Sequence, residues 1–129
     1  MKVLKSNDWS IVVPEDWQNE VDGILYTFYH QDGYGALQVS TFIKEVVVTD
    51  EDLKEHASEH INAGATIKSI ESDSMKVFGL EFGLDGEYWQ YWYMGIGNIA
   101  LIVTYHCDES DREKESTIVK AIVSSINKT

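Results

Sequence analysis

Four short stretches carry residue types that could do chemistry. The first is HASEH, His56 to His60. It matches the inverted zincin pattern H-x-x-E-H, in which two histidines four apart on a helix grip zinc and the glutamate, here Glu59, acts as base. The pattern has only three fixed letters, and this stretch is rich in acidic residues. On a helix both histidines fall on the flank of the apolar stripe, where polar residues ordinarily sit. A catalytic zinc also needs a third protein ligand, and the sequence singles out none. Ordinary surface histidines are the expectation. The second stretch, GIGNIA at Gly95 to Ala100, spells the G-x-G-x-x-A dinucleotide fingerprint. That fingerprint works only where a helix follows, because the pyrophosphate sits on the helix N-terminus. Here the glycines lead into IALIVTYH, a β-branched apolar run, so a hairpin loop is expected. The third is the neighbouring pair His106 and Cys107. On a strand, adjacent side chains point to opposite faces, so the pair forms a dyad only if the strand ends before it.

The fourth stretch is EYWQYWYMG, with five aromatic rings in six residues, Tyr88 to Tyr93. On a strand it splits by period two. Tyr88, Gln90, Trp92 and Met94 point one way, and Trp89, Tyr91 and Tyr93 the other. A core strand covered on both faces explains both sets. If this stretch holds a surface for a partner or ligand, that surface is the Trp89, Tyr91 and Tyr93 face. No G-x-S-x-G, P-loop or paired-carboxylate motif accompanies these stretches. DESDREKE, Asp108 to Glu115, lacks the ligand alternation and central glycine of a calcium loop and reads as a solvated helix start. No catalytic residue, metal or cofactor is expected.

Turn and cap chemistry defines the elements that must position these residues. Pro14 closes a strand from Trp9 to Val13, and Trp17 follows on a turn. Strands are expected at Ile24–His30 and Gly35–Lys44, joined by QDGYG. Thr49 caps a helix, with Asp52 as capping-box partner, and Gly64 is its stop. Leu53, Ala57 and Ile61 form its buried stripe. A weak strand, ATIKSIES, precedes a three-stranded meander. That meander comprises Met75–Gly83, the aromatic run and Asn98–His106, and Asp85-Gly86 supplies its first tight turn. Ser110 and Glu113 read as the capping box of a last helix, with Ile118, Val119, Ile122, Val123 and Ile126 as its apolar stripe. Hairpins dominate, so the sheet is mostly antiparallel. The Asn98–His106 strand is apolar on both sides, which requires cover on both sides. The expected fold is α+β: a six- to seven-stranded sheet with a helix on each face, an α/β/α sandwich. Both helices on one face is the alternative.

Composition bounds the function. The chain has 129 residues, 43% of them hydrophobic, which fits one domain spanning 1–129 with a real core. The single cysteine precludes an internal disulfide and favours a reducing compartment. The N-terminus has no apolar run of signal-peptide length, and no stretch approaches a membrane helix, so a cytoplasmic location is expected. Twenty-two acidic against 10 basic residues leave a net charge of −12, which repels phosphate backbones and argues against nucleic acid.

The features WSIVVPEDW, a hairpin, a helix after TDEDL, a long meander and a final helix ending IVSSIN resemble the PsbP-like fold family. That family includes a photosystem II extrinsic subunit, a Ran-binding import factor, bacterial lipoproteins and type VI effector chaperones. The resemblance is one of architecture and spacing. It implies an antiparallel sheet between helices and a binding role without catalysis, and no functional residue is carried over. Two expectations of different class follow. One is a non-catalytic module of the immunity-protein or secretion-chaperone type, with a protein partner of basic character and room for a homodimer. The other is a small-ligand carrier or enzyme with a pocket between sheet and helix. A deep pocket gathering His30, His56, His60 or Cys107 would favour the second.

Overall fold

Two-residue turns organise the sheet. In the computed structural model, which describes residues 1–69 and 76–128, Asp85 and Gly86 both have positive φ, 52° and 81°. Only small turn residues tolerate such a pair, and it matches the right-handed twist of the strands it joins. Those strands are β7 (Lys76–Leu84) and β8 (Glu87–Ile96). Gly97, at φ 59°, turns β8 into β9 (Ile99–Asp108). Around this meander lie β3 (Trp17–Asp22), β4 (Leu25–His30), β5 (Gly35–Ile43) and β6 (Thr66–Ser69). All are antiparallel, in the order β3-β4-β5-β9-β8-β7-β6. A second, small sheet holds β1 (Lys2–Lys5), β2 (Trp9–Val13) and β10 (Asn127–Lys128), in the order β1-β2-β10.

The large sheet has a helix on each face. On one face, α2 (Ser116–Ser124) and β2 pack Val119, Ile122, Trp9, Ile11 and Val13 over Leu37, Val39, Trp92, Leu101 and Val103. On the other, α1 (Asp50–Asn62) packs Leu53 and Ala57 over Leu80, Tyr93 and Ala100. The α1 cap is the one its sequence predicts. The Thr49 side chain accepts from the Asp52 N–H, and the Asp52 carboxylate accepts from the Thr49 N–H. The hydrogen bonds that Lys44 and Thr49 donate hold the Asp52 carboxyl down at about 2.

Several boundaries differ from the sequence expectation. Trp17 does not sit on a turn; it opens β3, its ring buried in the core. The rest of β3, QNEVD, is exposed edge and reads as loop by composition. Strands β1 and β10 are too short or too polar to signal themselves. The weak strand ATIKSIES is β6, ending at Ser69; its last three residues, and Met75, lie outside the described residues. The Ser110–Glu113 capping box does not form. Glu109–Asp111 is a 3-10 turn, and α2 begins only at Ser116.

Glu115 explains that delay. It precedes α2 but makes no side-chain cap bond. Its buried carboxylate turns inward, and Oε1 accepts from the Tyr34 N–H at 3.1 Å, the Gly35 N–H at 2.9 Å and the Tyr105 hydroxyl at 2.8 Å. Only glycine fits at position 35, because a Cβ there would lie 2.3 Å from the His106 carbonyl oxygen. Burial, and then the bond to Glu115, push the Tyr105 phenol well above its ordinary range, so it stays a donor. Removing the carboxylate strands three donors. Glu115→Ala should therefore lower stability by about 3 kcal/mol in urea denaturation. A loss below about 0.5 kcal/mol would show that the carboxylate does not pin the helix start.

Candidate functional site

The aromatic run of β8 divides as its period requires. Trp92 and Met94 are each 2% exposed in the core beneath α2, with Tyr88 beside them. On the opposite face Tyr93 is 1% exposed under α1. Tyr91 and Trp89, further along the same face, are only half-buried. The helix reaches Tyr91 only through its last turn, where His60 meets that ring; Ala63 then closes it and Gly64, at φ 94°, turns the chain away.

What α1 covers only in part is a row of rings. Phe82, Trp89 and His106 are direct cross-strand partners on β7, β8 and β9. Trp89 stacks on His106 at 4.5 Å and 17°, and lies parallel to Phe82 at 6.4 Å and 10°. His60, in the last turn of α1, stacks on Phe82 at 4.7 Å and meets Tyr91 at 4.6 Å. Such arrays contribute beyond their buried area. Burial raises the Tyr91 and Tyr93 phenols, so both stay neutral. Beyond His106 the row meets Ala36 on β5. There a shallow, open depression of about 370 Å³ is lined by Tyr29, His30, Tyr34, Ala36, Glu87, His106 and Asp108. The Nδ1 atom of His106 is buried and makes no hydrogen bond.

The remaining motif residues scatter. His56 packs on Phe42 at 5.6 Å, away from the rings that hold His60, so HASEH serves two separate packing contacts. Among the described residues no group of three or more His, Cys, Asp or Glu is placed to hold a metal ion. Strand β9 runs through both His106 and Cys107, which puts the imidazole on the open face and the thiol in the core. Burial pushes the Cys107 thiol up, which suits packing rather than nucleophilic attack. The GIGNIA glycines form the β8–β9 turn and no helix follows. The Gly97 and Asn98 carbonyls accept from the Val48 and Lys44 N–H groups, fixing the segment that enters α1. His30 Nε2 lies 2.9 Å from an Asp16 carboxylate oxygen. Phe82 was not singled out from sequence, and His60 and His106 were singled out for other chemistry; their meeting in one ring row depends on helix docking and cross-strand register.

No family model matches the chain, and no curated protein matches it. Among solved structures it is similar to cyanobacterial PsbP (CyanoP) from Synechocystis, with a TM-score of 0.69 over 99% of this chain and 92% of that one. The fold is PsbP-like. Identity to CyanoP is 12%, so the likeness is one of backbone. A protein from Bacteroides thetaiotaomicron superposes with a TM-score of 0.67 at 20% identity, over 94% of this chain. The chain spans 45% of that protein's length. Within this PsbP-like frame no described helix is long and apolar enough to cross a membrane.

The two tryptophans of the run should respond differently to truncation. Trp92→Ala should cost about 3–5 kcal/mol in urea denaturation, as expected for a core ring. Trp89→Ala should cost about 1–2 kcal/mol, the scale of a half-exposed stack. Equal losses would mean that the open face is in fact core.

Proposed function

We propose that this chain is a non-catalytic protein-binding domain that works through the uncovered part of its α1 face. One observation carries this: a row of stacked rings runs from His60, in the last turn of α1, through Phe82 to Trp89 and His106, with Tyr91 beside it, and its Trp89–His106 end extends beyond the helix. Rigid aromatic anchors of this kind supply most of the binding energy in protein interfaces. Tyr93, grouped with Trp89 and Tyr91 by alternation, would contribute from below as support, since it lies under α1. The depression beside His106 is open and continuous with this row. It suits a partner's side chain better than an enclosed small ligand, which needs a deep concave pocket.

The net charge of −12 makes the partner a basic protein and disfavours nucleic acid and anionic membrane. The immunity-protein and secretion-chaperone classes share this profile of a small acidic domain pairing with a larger basic one, and the cytoplasm is the compartment that fits a lone thiol. A partner bound this way should associate fast at low salt and weaken as salt rises.

The test compares the tagged chain with a Trp89→Ala/Tyr91→Ala variant whose fold is verified by circular dichroism. A protein retained from host lysate by the wild type, lost by the variant and released by salt is the expected result. A partner retained equally by both would exclude this face.

A further inference from the structure

The ring row breaks off at one strand. Phe82, Trp89 and His106 hold one ring each on β7, β8 and β9. The next position, on β5, is Ala36, the direct cross-strand partner of His106. Trp89 lies against one face of the His106 ring at 4.5 Å and 17°. The stack runs along the row, so the other face of His106 looks across the Ala36 methyl. Among the described residues no ring lies against that face. Beyond Ala36 the sheet opens, because the β4–β5 ladder ends at Phe28 and Leu37, one position short of Tyr29 and Ala36. Tyr29 leans away from the gap, its hydroxyl donating to Glu20 of β3 at 3.1 Å. Ala36 is therefore the floor of the depression, with His106 as its near wall and Tyr29 as its far wall. Tyr34 also lines it, but Lys114 lies 5.7 Å over that ring, so it is not the open wall.

Resting on the protein-binding reading above, we infer that the depression is a slot for one aromatic side chain of the partner. That ring stacks on the free face of His106, over the Ala36 methyl, and fills the missing place in the row. The width fits. His106 and Tyr29 stand two strands apart, about 10 Å at the ordinary strand spacing. A ring inserted between them needs two contacts of about 3.5–4 Å, or about 7–8 Å in all. Aromatic side chains add stacking to area burial and are the commonest anchors of protein interfaces. Glu87 and Asp108, at the margin of the slot, supply acceptors for an indole N–H, so tryptophan is the best-matched occupant. A free aromatic molecule would leave Trp89 and Tyr91 in water. A side chain carried on a partner's surface covers them as it enters.

The experiment titrates the chain with N-acetyl-tryptophanamide, N-acetyl-cyclohexylalaninamide and N-acetyl-argininamide, and follows the His106 ring protons and the Ala36 methyl by NMR. The tryptophan probe should move both signals upfield and saturate, as a ring held over them must. The cyclohexyl probe has similar bulk without a π-system, and neither it nor the arginine probe should do so. Ala36→Val raises the floor and should weaken the tryptophan response about tenfold. Valine suits a strand, so this variant should melt with the wild type, and lost binding is then not lost fold. Ala36→Trp carries its own ring into the slot. It should show the upfield His106 shift with no probe present and no further response. An absent or unsaturable tryptophan response, an equal response to either other probe, or an unchanged response in Ala36→Val would overturn the slot. An unmoved His106 signal in Ala36→Trp would overturn it too. Concentration-dependent shifts of the same signals without a probe would assign the slot to a second copy of the chain and overturn it as well. Native-partner capture that needs Trp89 and Tyr91 but tolerates Ala36→Val would end the slot and leave the protein-binding function standing.

Discussion

The structure depends on one constraint: strands β8 and β9 lie in the middle of the sheet and are apolar on both sides. Alternation sends every second side chain to each face, so neither face can meet water unaided. One face is solved fully. Helix α2 and the small β1-β2-β10 sheet close over Trp92, Leu101 and Val103, and Trp9, Ile11 and Ile122 leave almost nothing exposed there. The other face is solved in part. Helix α1 covers Tyr93, Ala100 and Leu80 and then stops. Its thirteen residues make a rod of about 20 Å, and Gly64 ends it beside the first ring of the open row. The proposed binding surface is therefore set by the length of a helix as much as by the residues of a strand.

Polar groups hold this arrangement in register. Glu115 ties the start of α2 to the β4–β5 connection and to Tyr105 on β9, which fixes the closed face at the end where the depression lies. Thr49 and Asp52 fix the start of α1, and the β8–β9 turn hydrogen-bonds the segment leading into it. Both helices are thus anchored to the same two strands, β5 and β9 or their turns. The carboxylates used in these anchors are satisfied. Glu87 and Asp108 are direct cross-strand partners on β8 and β9, at the rim of the open face.

Much of the frame was legible in the sequence because it rests on local chemistry. Asp85-Gly86 marks a primed turn, Thr49 with Asp52 marks a cap, and the two-sided apolar pattern of β9 demands cover on both faces. The split of the aromatic run followed from period two alone. Three things were not legible, each for a physical reason. Strand β3 is a polar edge, held by β4 rather than by its own propensity. The start of α2 is set by a long-range bond from Glu115 across to Gly35, which overrides the S-x-x-E signal. The ring row joins Phe82, Trp89 and His106 through strand register, and register is a property of pairing that no single strand displays.

The central claim is that Trp89, Tyr91 and Phe82 are open to solvent in the free chain and closed by the partner. Hydroxyl-radical footprinting read by mass spectrometry tests it directly. Trp89, Tyr91 and Phe82 should be labelled in the free chain and protected in the complex, with Trp9, Trp92 and Tyr93 unlabelled in both states. Unlabelled Trp89 in the free chain, or labelling unchanged by the partner, would contradict it.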